Sequence, residues 1–228
     1  MFLIAAFSHS AFAASFDCAK ARSRQEKLIC STPALSKADE TMTAKYAEAR
    51  SAAARISAEE ASEPKENQSA WILYGIQRCA PEVTCLSKSY QDRIAFLDFY
   101  RQQAQKPMTV SGAYMGLTGN VEIRQIGDNK AIFSMVVFTV RNQGTSHETA
   151  NTGDITDEGV LQSNTVRYDK KVEGDEPCKL QISLSATKAV VEQEGTCDFG
   201  MNVWATGVYF RISNEVPDIS IGHGIVDR

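Results

Sequence analysis

The sequence of 228 residues has few of the side chains on which catalysis near neutral pH depends. It contains three histidines, His9, His147 and His223, and their spacing does not suggest a cluster with a carboxylate and a nucleophile. It also lacks HExxH, GxSxG, GxxxxGK[ST] and a GxGxxG that opens a helix after a strand. We therefore predict that the protein is not an enzyme and requires no metal or cofactor.

An excess of positive charge and a long apolar run are absent as well. The chain carries 24 basic and 28 acidic side chains, for a formal net charge of -4. This balance is not typical of a nucleic-acid-binding protein. No segment approaches the roughly 20 apolar residues that a membrane-spanning helix needs, so we predict none.

Residues 1–14 have the pattern of a signal peptide. An apolar run from Phe2 to Phe7 is followed by Ala11-Phe12-Ala13, which fits the small residues before a cleavage site. The segment lacks the usual Lys or Arg, so either the true start codon lies upstream or these residues form a buried N-terminal helix. We expect cleavage after Ala13 or Ala14 and export to the periplasm or the medium. Asp17 before Cys18 does not suit lipidation.

The hydrophobic period changes near Pro107, and the charge changes with it. Residues 15–106 carry 14 basic and 12 acidic side chains, whereas residues 107–228 carry 10 and 16. We predict an α+β protein with a disulfide-linked helical bundle at 15–106, a small antiparallel β-barrel or sandwich at 107–214 and a tail at 215–228.

Four helices are predicted in the first domain. The first spans Asp17 to Cys30, and the second begins at Thr32-Pro33 and is ended by a polar break at residues 60–67. The third runs from Gln68 to Cys79, and the fourth starts near Thr84. The second helix presents an apolar stripe at helical spacing, made of Leu35, Ala38, Met42, Tyr46, Ala49, Ala53 and Ile56.

The length of the predicted first helix limits how the cysteines of this domain can pair. If Cys18 and Cys30 cap a helix of about twelve residues, they lie roughly 18 Å apart and cannot bond to each other. Each must then pair with Cys79 or Cys85. We favour Cys18 with Cys85 and Cys30 with Cys79, and the swapped pairing remains open.

The cysteines and the residues around them resemble the N-terminal domain of the LprI-type lysozyme inhibitor family. The resemblance covers about Phe16 to Tyr100. Besides the four cysteines, it rests on Asp17, Glu26, Asp39, Tyr46, Trp71, Arg78, Leu86, Tyr90 and Arg93. It implies an exported, helical bacterial protein that inhibits lysozyme.

Individual positions in this motif have structural interpretations beside the functional one. We expect Trp71 and Tyr90 to be core residues. Arg78 and Arg93 are predicted to bond carbonyls or to pair with Asp17 or Glu26, a partner-binding role being the alternative.

From Thr109 onward the hydrophobic period is two. Gly127-Asp128-Asn129 is a predicted hairpin turn. The predicted strands are Thr109–Met115, Asn120–Ile126, Ala131–Val140, Gly159–Tyr168, Lys179–Ala186, Ala189–Gly195 and Val203–Ile212, with a weak one near His147–Gly153.

Two patterns predict how strands of this domain meet. Cys178 and Cys197 are symmetric about a turn at residues 186–189, which predicts a disulfide across a hairpin in which Leu184 faces Val191. Gly112-Ala113-Tyr114 is echoed by Gly207-Val208-Tyr209, so we predict that the first and last strands are neighbours that close the sheet.

The leading hypothesis is a binding protein: a periplasmic inhibitor of a basic lysozyme or another cell-wall hydrolase, acting by surface complementarity. One alternative is an envelope immunity or stress protein that binds another hydrolase or toxin. Another is a β-barrel that holds a small ligand. Trp204 is either a core residue or an interface anchor.

Overall fold

The computed structural model describes residues 14–58, 60–141, 149–171, 176–197 and 199–221. The chain divides into two compact units between Gln102 and Gln103. The first unit is helical, and the second contains eight antiparallel strands that form a closed barrel. The fold class is therefore α+β, as predicted, and the second unit is a barrel rather than a sandwich.

The described residues of the first unit form four α-helices. A 3-10 turn at Cys18–Lys20 precedes them, and a π-helical segment at Ile72–Ile76 continues the third. The helices are α1 Arg24–Ser31, α2 Pro33–Ala54, α3 Glu63–Trp71 and α4 Val83–Gln103.

The predicted helix from Asp17 to Cys30 is interrupted. Asp17 caps only the 3-10 turn, accepting from the amide of Ala19 at 3.0 Å. Ser23 then starts α1 through a capping box: its hydroxyl accepts from the amide of Glu26 at 3.0 Å, and the Glu26 carboxylate accepts from the amide of Ser23 at 2.8 Å. The Ser-x-x-Glu signal in the sequence therefore marks the true helix start.

This interruption makes the favoured disulfide pairing wrong. The bonds are Cys18–Cys30, with Cα atoms 5.8 Å apart, and Cys79–Cys85, with Cα atoms 5.7 Å apart. Because the chain turns between the 3-10 turn and α1, Cys18 lies beside Cys30 rather than a helix length away. Each bond therefore links positions close in sequence.

The break after α2 also differs from the prediction. The helix ends at Ala54, so Ile56 lies outside it and is 45% exposed. Pro64 lies in the first turn of α3, where its missing N–H costs no helical hydrogen bond, and α3 begins at Glu63 rather than at Gln68.

The barrel is an up-and-down meander in which every strand pairs with its neighbours in sequence and β8 pairs with β1. Its strands are β1 Gly112–Gly116, β2 Gly119–Gly127, β3 Lys130–Arg141, β4 Thr149–Gln162, β5 Thr165–Lys170, β6 Cys178–Leu184, β7 Lys188–Glu194 and β8 Gly207–Ser213.

Several strand predictions are confirmed and one is wrong. Gly127 pairs with Lys130 around the predicted turn. The predicted strand Gly159–Tyr168 is two strands, because a turn that includes Ser163 at φ 53° separates β4 from β5. The weak strand predicted near His147–Gly153 is the start of β4, its first two residues lying outside the described ranges.

The echoed glycine–tyrosine pattern correctly predicts barrel closure. β1 pairs with β8 in antiparallel register, and Tyr114 and Tyr209 are both fully buried in the core. Inward side chains from all eight strands form this core, among them Val121, Phe133 and Ile182 at 0% exposure.

The predicted Cys178–Cys197 disulfide is present, whereas the predicted strand register is wrong by two residues. Leu184 pairs with Ala189 rather than Val191, and the turn closes with the Ser185 amide donating to the Lys188 carbonyl at 2.8 Å. A shift of two residues leaves the same side chains on the core face. The disulfide therefore lies just beyond the paired ends of β6 and β7.

Candidate partner-binding surface

The connection between β7 and β8 closes over the barrel core and is built as a rigid loop. We call its described residues, 195–197 and 199–206, the Trp204 loop. Phe199, Val203 and Ala205 are buried in the core cluster, and Cys197 ties the loop to β6. These buried side chains and the disulfide hold the loop against the barrel core.

Hydrogen bonds fix the loop from its sides. The Gln193 side chain accepts from the amide of Ala205 at 2.8 Å and donates to the carbonyl of Gly195 at 3.2 Å. The buried Tyr209 hydroxyl donates to the Ala205 carbonyl at 2.8 Å, and Asn151 donates to the Met201 carbonyl at 2.7 Å. Groups from β4, β7 and β8 thus hold the loop backbone.

Gly153 allows β4 to approach this loop closely. A Cβ atom at this position would overlap the backbone of Phe199. Asn202 adopts a positive φ of 60° at the turn that exposes its neighbours, a conformation that asparagine tolerates better than most residues.

Trp204 and Met201 project from this fixed backbone into solvent. Trp204 is 55% exposed and Met201 is 74% exposed. They border a cavity of about 390 Å³ lined by Gln193 and by the loop between Gly195 and Trp204. The described residues of this lining are uncharged.

The structure thus places Trp204 outside the core, at a surface that sequence reasoning identified only in part. Met201, Asn151 and Gly153 were not predicted as part of it. For Met201 the sequence offers only a Gly-Met-Asn run between a cysteine and a strand, which is typical of an exposed turn. It gives no signal for Asn151 or Gly153.

The family-motif residues lie elsewhere, in the helical unit, and several meet in one buried network. The Tyr90 hydroxyl donates to Asp39 Oδ1 at 2.9 Å, joining α4 to α2, and the Ser15 amide donates to Asp39 Oδ2 at 2.6 Å. Burial, with the Asp39 carboxylate adding to it, raises the pKa of Tyr90 well above its usual value. Tyr90 therefore remains a hydrogen-bond donor at neutral pH.

Arg93 occupies the centre of the same network. It donates through Nε and Nη2 to Gln68 Oε1 at 3.0 and 2.7 Å, and through Nη1 to Asn67. Its guanidinium lies 5.8 Å from the ring centroid of Trp71, whose ring packs edge-on against Tyr90 at 5.4 Å. Burial lowers the pKa of Arg93 to about 10, which leaves it charged at neutral pH.

The other motif residues have separate positions. Asp17 and Glu26 cap their own turns. The described hydrogen bonds of Arg93 go to the side-chain carbonyl oxygens of Gln68 and Asn67 rather than to these acids. Arg78 stacks over Tyr74 at 5.2 Å, Tyr46 lies beneath Arg50 at 5.9 Å, and Leu86 is fully buried. The expectation that Trp71 is a core residue holds in part, since its ring is half-buried, whereas Tyr90 is 2% exposed.

Several kinds of site are not found in the described part of the chain. No group of three or more His, Cys, Asp or Glu side chains there is arranged to hold a metal ion. No helix in the same residues is both long and apolar enough to cross a bilayer. His9, His147 and His223 lie outside the described residues.

Comparison of the chain with models of known protein families, with curated proteins and with solved structures found no match. The resemblance to the LprI-type family remains a prediction from the residues that carry it.

Proposed function

We propose that this protein is an exported binding protein that inhibits a lysozyme, or a related cell-wall hydrolase, by covering part of the enzyme surface with the Trp204 loop. The observation that carries the proposal is an exposed Trp on a loop held by a disulfide, by buried anchors and by side-chain hydrogen bonds. Tryptophan is enriched among residues that dominate binding energy, and a rigid loop loses little entropy on binding.

The charge and the disulfides support the same proposal. Residues 107–228 carry 10 basic and 16 acidic side chains, which complements a basic enzyme. All six cysteines form disulfides, as is typical of proteins in oxidising compartments. The resemblance to the LprI-type family supplies the choice of target.

The filled interior of the barrel supports this proposal over a small-ligand site inside it. Side chains that are fully buried, including Tyr114, Phe133 and Tyr209, occupy the interior. An eight-stranded barrel is just wide enough to be filled in this way.

The test is a titration of the oxidised chain from Ser15 onward against c-type, g-type and i-type lysozymes in a cell-wall lysis assay. We expect near-stoichiometric inhibition of at least one class. Trp204→Ala is expected to weaken it about thirtyfold, the loss of a typical hot-spot residue. Val160→Ala is the control, because Val160 is 56% exposed on the outer face of β4.

Folded protein that inhibits no lysozyme class would reject the proposed target. Inhibition that Trp204→Ala and Val160→Ala leave equally intact would instead reject the Trp204 loop as the binding surface. Pull-down of another hydrolase or toxin through Trp204 would favour the immunity alternative.

A further inference from the structure

The helical unit carries a concentration of exposed basic side chains near its first disulfide. Between Cys18 and Cys30 lie four basic residues and one acid, Glu26. The Glu26 carboxylate accepts hydrogen bonds from the backbone amides of Ser23 and Arg22, and these bonds lower its pKa. Lys20 lies 3.5 Å from Asp17. Arg22 and Arg24 are exposed on either side of Ser23, and the charge of Arg22 also helps to lower the pKa of Glu26.

Arg22 and Arg24 form one wall of a groove. We call it the cationic groove; its volume is about 620 Å³, and Gln77 and Arg78 lie on the opposite wall. Gln25 joins the walls by donating to the carbonyls of Gln77 at 3.3 Å and Cys79 at 2.9 Å. Three arginines therefore line one depression, and no acidic side chain occurs among its described lining residues.

An exposed apolar segment continues from this groove. We call it the apolar ridge: the consecutive residues Ile72, Leu73 and Tyr74, which are 42%, 47% and 39% exposed. They lie in the π-helical segment, and such segments are frequent at functional sites. Because the Arg78 guanidinium stacks on the Tyr74 ring, the ridge and the groove form one continuous surface.

The arrangement of the ridge indicates what can cover it. Successive helical residues point in different directions, so a single flat protein surface cannot bury all three side chains. The headgroup region of a bilayer can surround a protruding segment from every side. Tyrosine and arginine also suit that boundary, since each combines an apolar body with a polar end.

We propose that the cationic groove and the apolar ridge dock the helical unit onto the surface of an anionic phospholipid bilayer. The arginines contact lipid phosphates, and Ile72 and Leu73 enter the boundary between headgroups and acyl chains. Stable peripheral binding requires both contributions, because apolar insertion and attraction to anionic lipids are each weak alone.

The test is flotation of the chain from Ser15 onward with vesicles of phosphatidylglycerol or phosphatidylcholine; the leader is omitted so that its apolar residues do not bind. We expect binding to phosphatidylglycerol that weakens with salt and little binding to phosphatidylcholine. Arg22→Gln with Arg24→Gln is expected to weaken binding about thirtyfold, on the usual contribution of a basic residue near an anionic surface.

The matched charge control is Lys37→Gln with Lys65→Gln, which removes two exposed lysines elsewhere in the helical unit. It is expected to bind nearly as the parent does. Leu73→Ser is expected to reduce binding at low and high salt alike, with Ile56→Ser as its control because Ile56 is 45% exposed outside the ridge. Circular dichroism verifies that each variant is folded.

Insertion is measured separately with Leu73→Trp and vesicles that contain brominated acyl chains. Both variants are made in a Trp71→Phe, Trp204→Phe background, so that the introduced tryptophan is the only one. We expect quenching of the tryptophan at position 73 and none for Ile56→Trp. Three results would each overturn the proposal: no binding to phosphatidylglycerol, equal loss in the arginine pair and its control, or tight binding of soluble polyglutamate that is insensitive to Leu73→Ser. The last would indicate an acidic polypeptide as the partner.

Discussion

Arg211 is a buried cation whose described hydrogen-bond acceptors are all uncharged. It is 1% exposed and donates to the carbonyls of Thr109 at 2.5 Å and Ser111 at 2.9 Å, and to the hydroxyl of Tyr114. Its guanidinium also lies 4.5 Å from the Tyr114 ring centroid. A Cβ atom at residue 112 would overlap this guanidinium, so Gly112 provides the space.

The contact between Tyr114 and Arg211 predicts that the barrel loses stability at alkaline pH through ionisation of Tyr114. Burial raises the pKa of Tyr114 to about 12, although the nearby Arg211 partly lowers it. From about pH 10 to 12 the folded state therefore retains a proton that the unfolded state has lost. Over that range the free energy of unfolding should fall by roughly 3 kcal/mol.

Tyr114→Phe isolates this effect, because the variant has no phenol to titrate at that position. It should be less stable than the parent at neutral pH, since Arg211 loses an acceptor, and the difference should shrink between pH 10 and 12. Urea unfolding at several pH values measures the difference. Tyr74→Phe in the helical unit is the control, and a gap for Tyr114→Phe that stays constant with pH would contradict the prediction.

Residue patterns predicted part of this arrangement. The repeated Gly-x-Tyr spacing predicted that Tyr114 and Tyr209 lie on adjacent strands that close the sheet. It gave no signal for Arg211, because arginine in a strand is ordinarily exposed and only the fold shows that this one points inward.

At the scale of elements, the β6–β7 hairpin and its disulfide determine how rigid the Trp204 loop is. The Cys178–Cys197 bond spans 19 residues. Replacing both cysteines with serine should lower the stability of the barrel by about 3 kcal/mol, because the unfolded chain gains the entropy of an open loop. Urea unfolding followed by Trp204 fluorescence in a Trp71→Phe background measures the change.

The same variant should also weaken inhibition, because a loop freed at Cys197 must be ordered again on binding. Replacing Cys79 and Cys85 with serine is the matched control, since that bond lies in the helical unit. Equal effects of the two double variants on inhibition would show that the Cys178–Cys197 bond does not act through the Trp204 loop.

Helices and strands were predictable where a pattern repeats over many residues. Disulfide pairing and strand register were not predictable where they depend on a short turn. The period of two identified the barrel strands, and cysteine symmetry identified the hairpin bond. The pairing of Cys18 failed because a break of a few residues before Ser23 reversed the chain, and the hairpin register failed because the turn is centred earlier than its symmetry suggested.

At the scale of the whole molecule, charge and surface chemistry differ between the two parts of the chain. Residues 15–106 carry a small basic excess, and residues 107–228 an excess of six acidic side chains. The helical unit presents arginines beside an apolar ridge, whereas the barrel unit presents Trp204 within an acidic chain segment. The two proposed partners, an anionic bilayer and a basic enzyme, therefore match different parts of one molecule.

The acidic excess predicts how inhibition of a basic lysozyme responds to salt. Long-range attraction accelerates encounter, and it is screened within about 10 Å at 0.1 M ionic strength. The association rate constant should therefore fall about tenfold from low to moderate salt. Dissociation depends on the proposed contacts at Trp204 and should change little. Asp154→Asn with Glu192→Gln should reduce both the association rate constant at low salt and its salt dependence, because both acids are exposed on the barrel.

Glu40→Gln in α2 is the control for this pair of substitutions. A rate constant that does not change with ionic strength would reject steering and leave inhibition itself to be explained by the Trp204 loop alone.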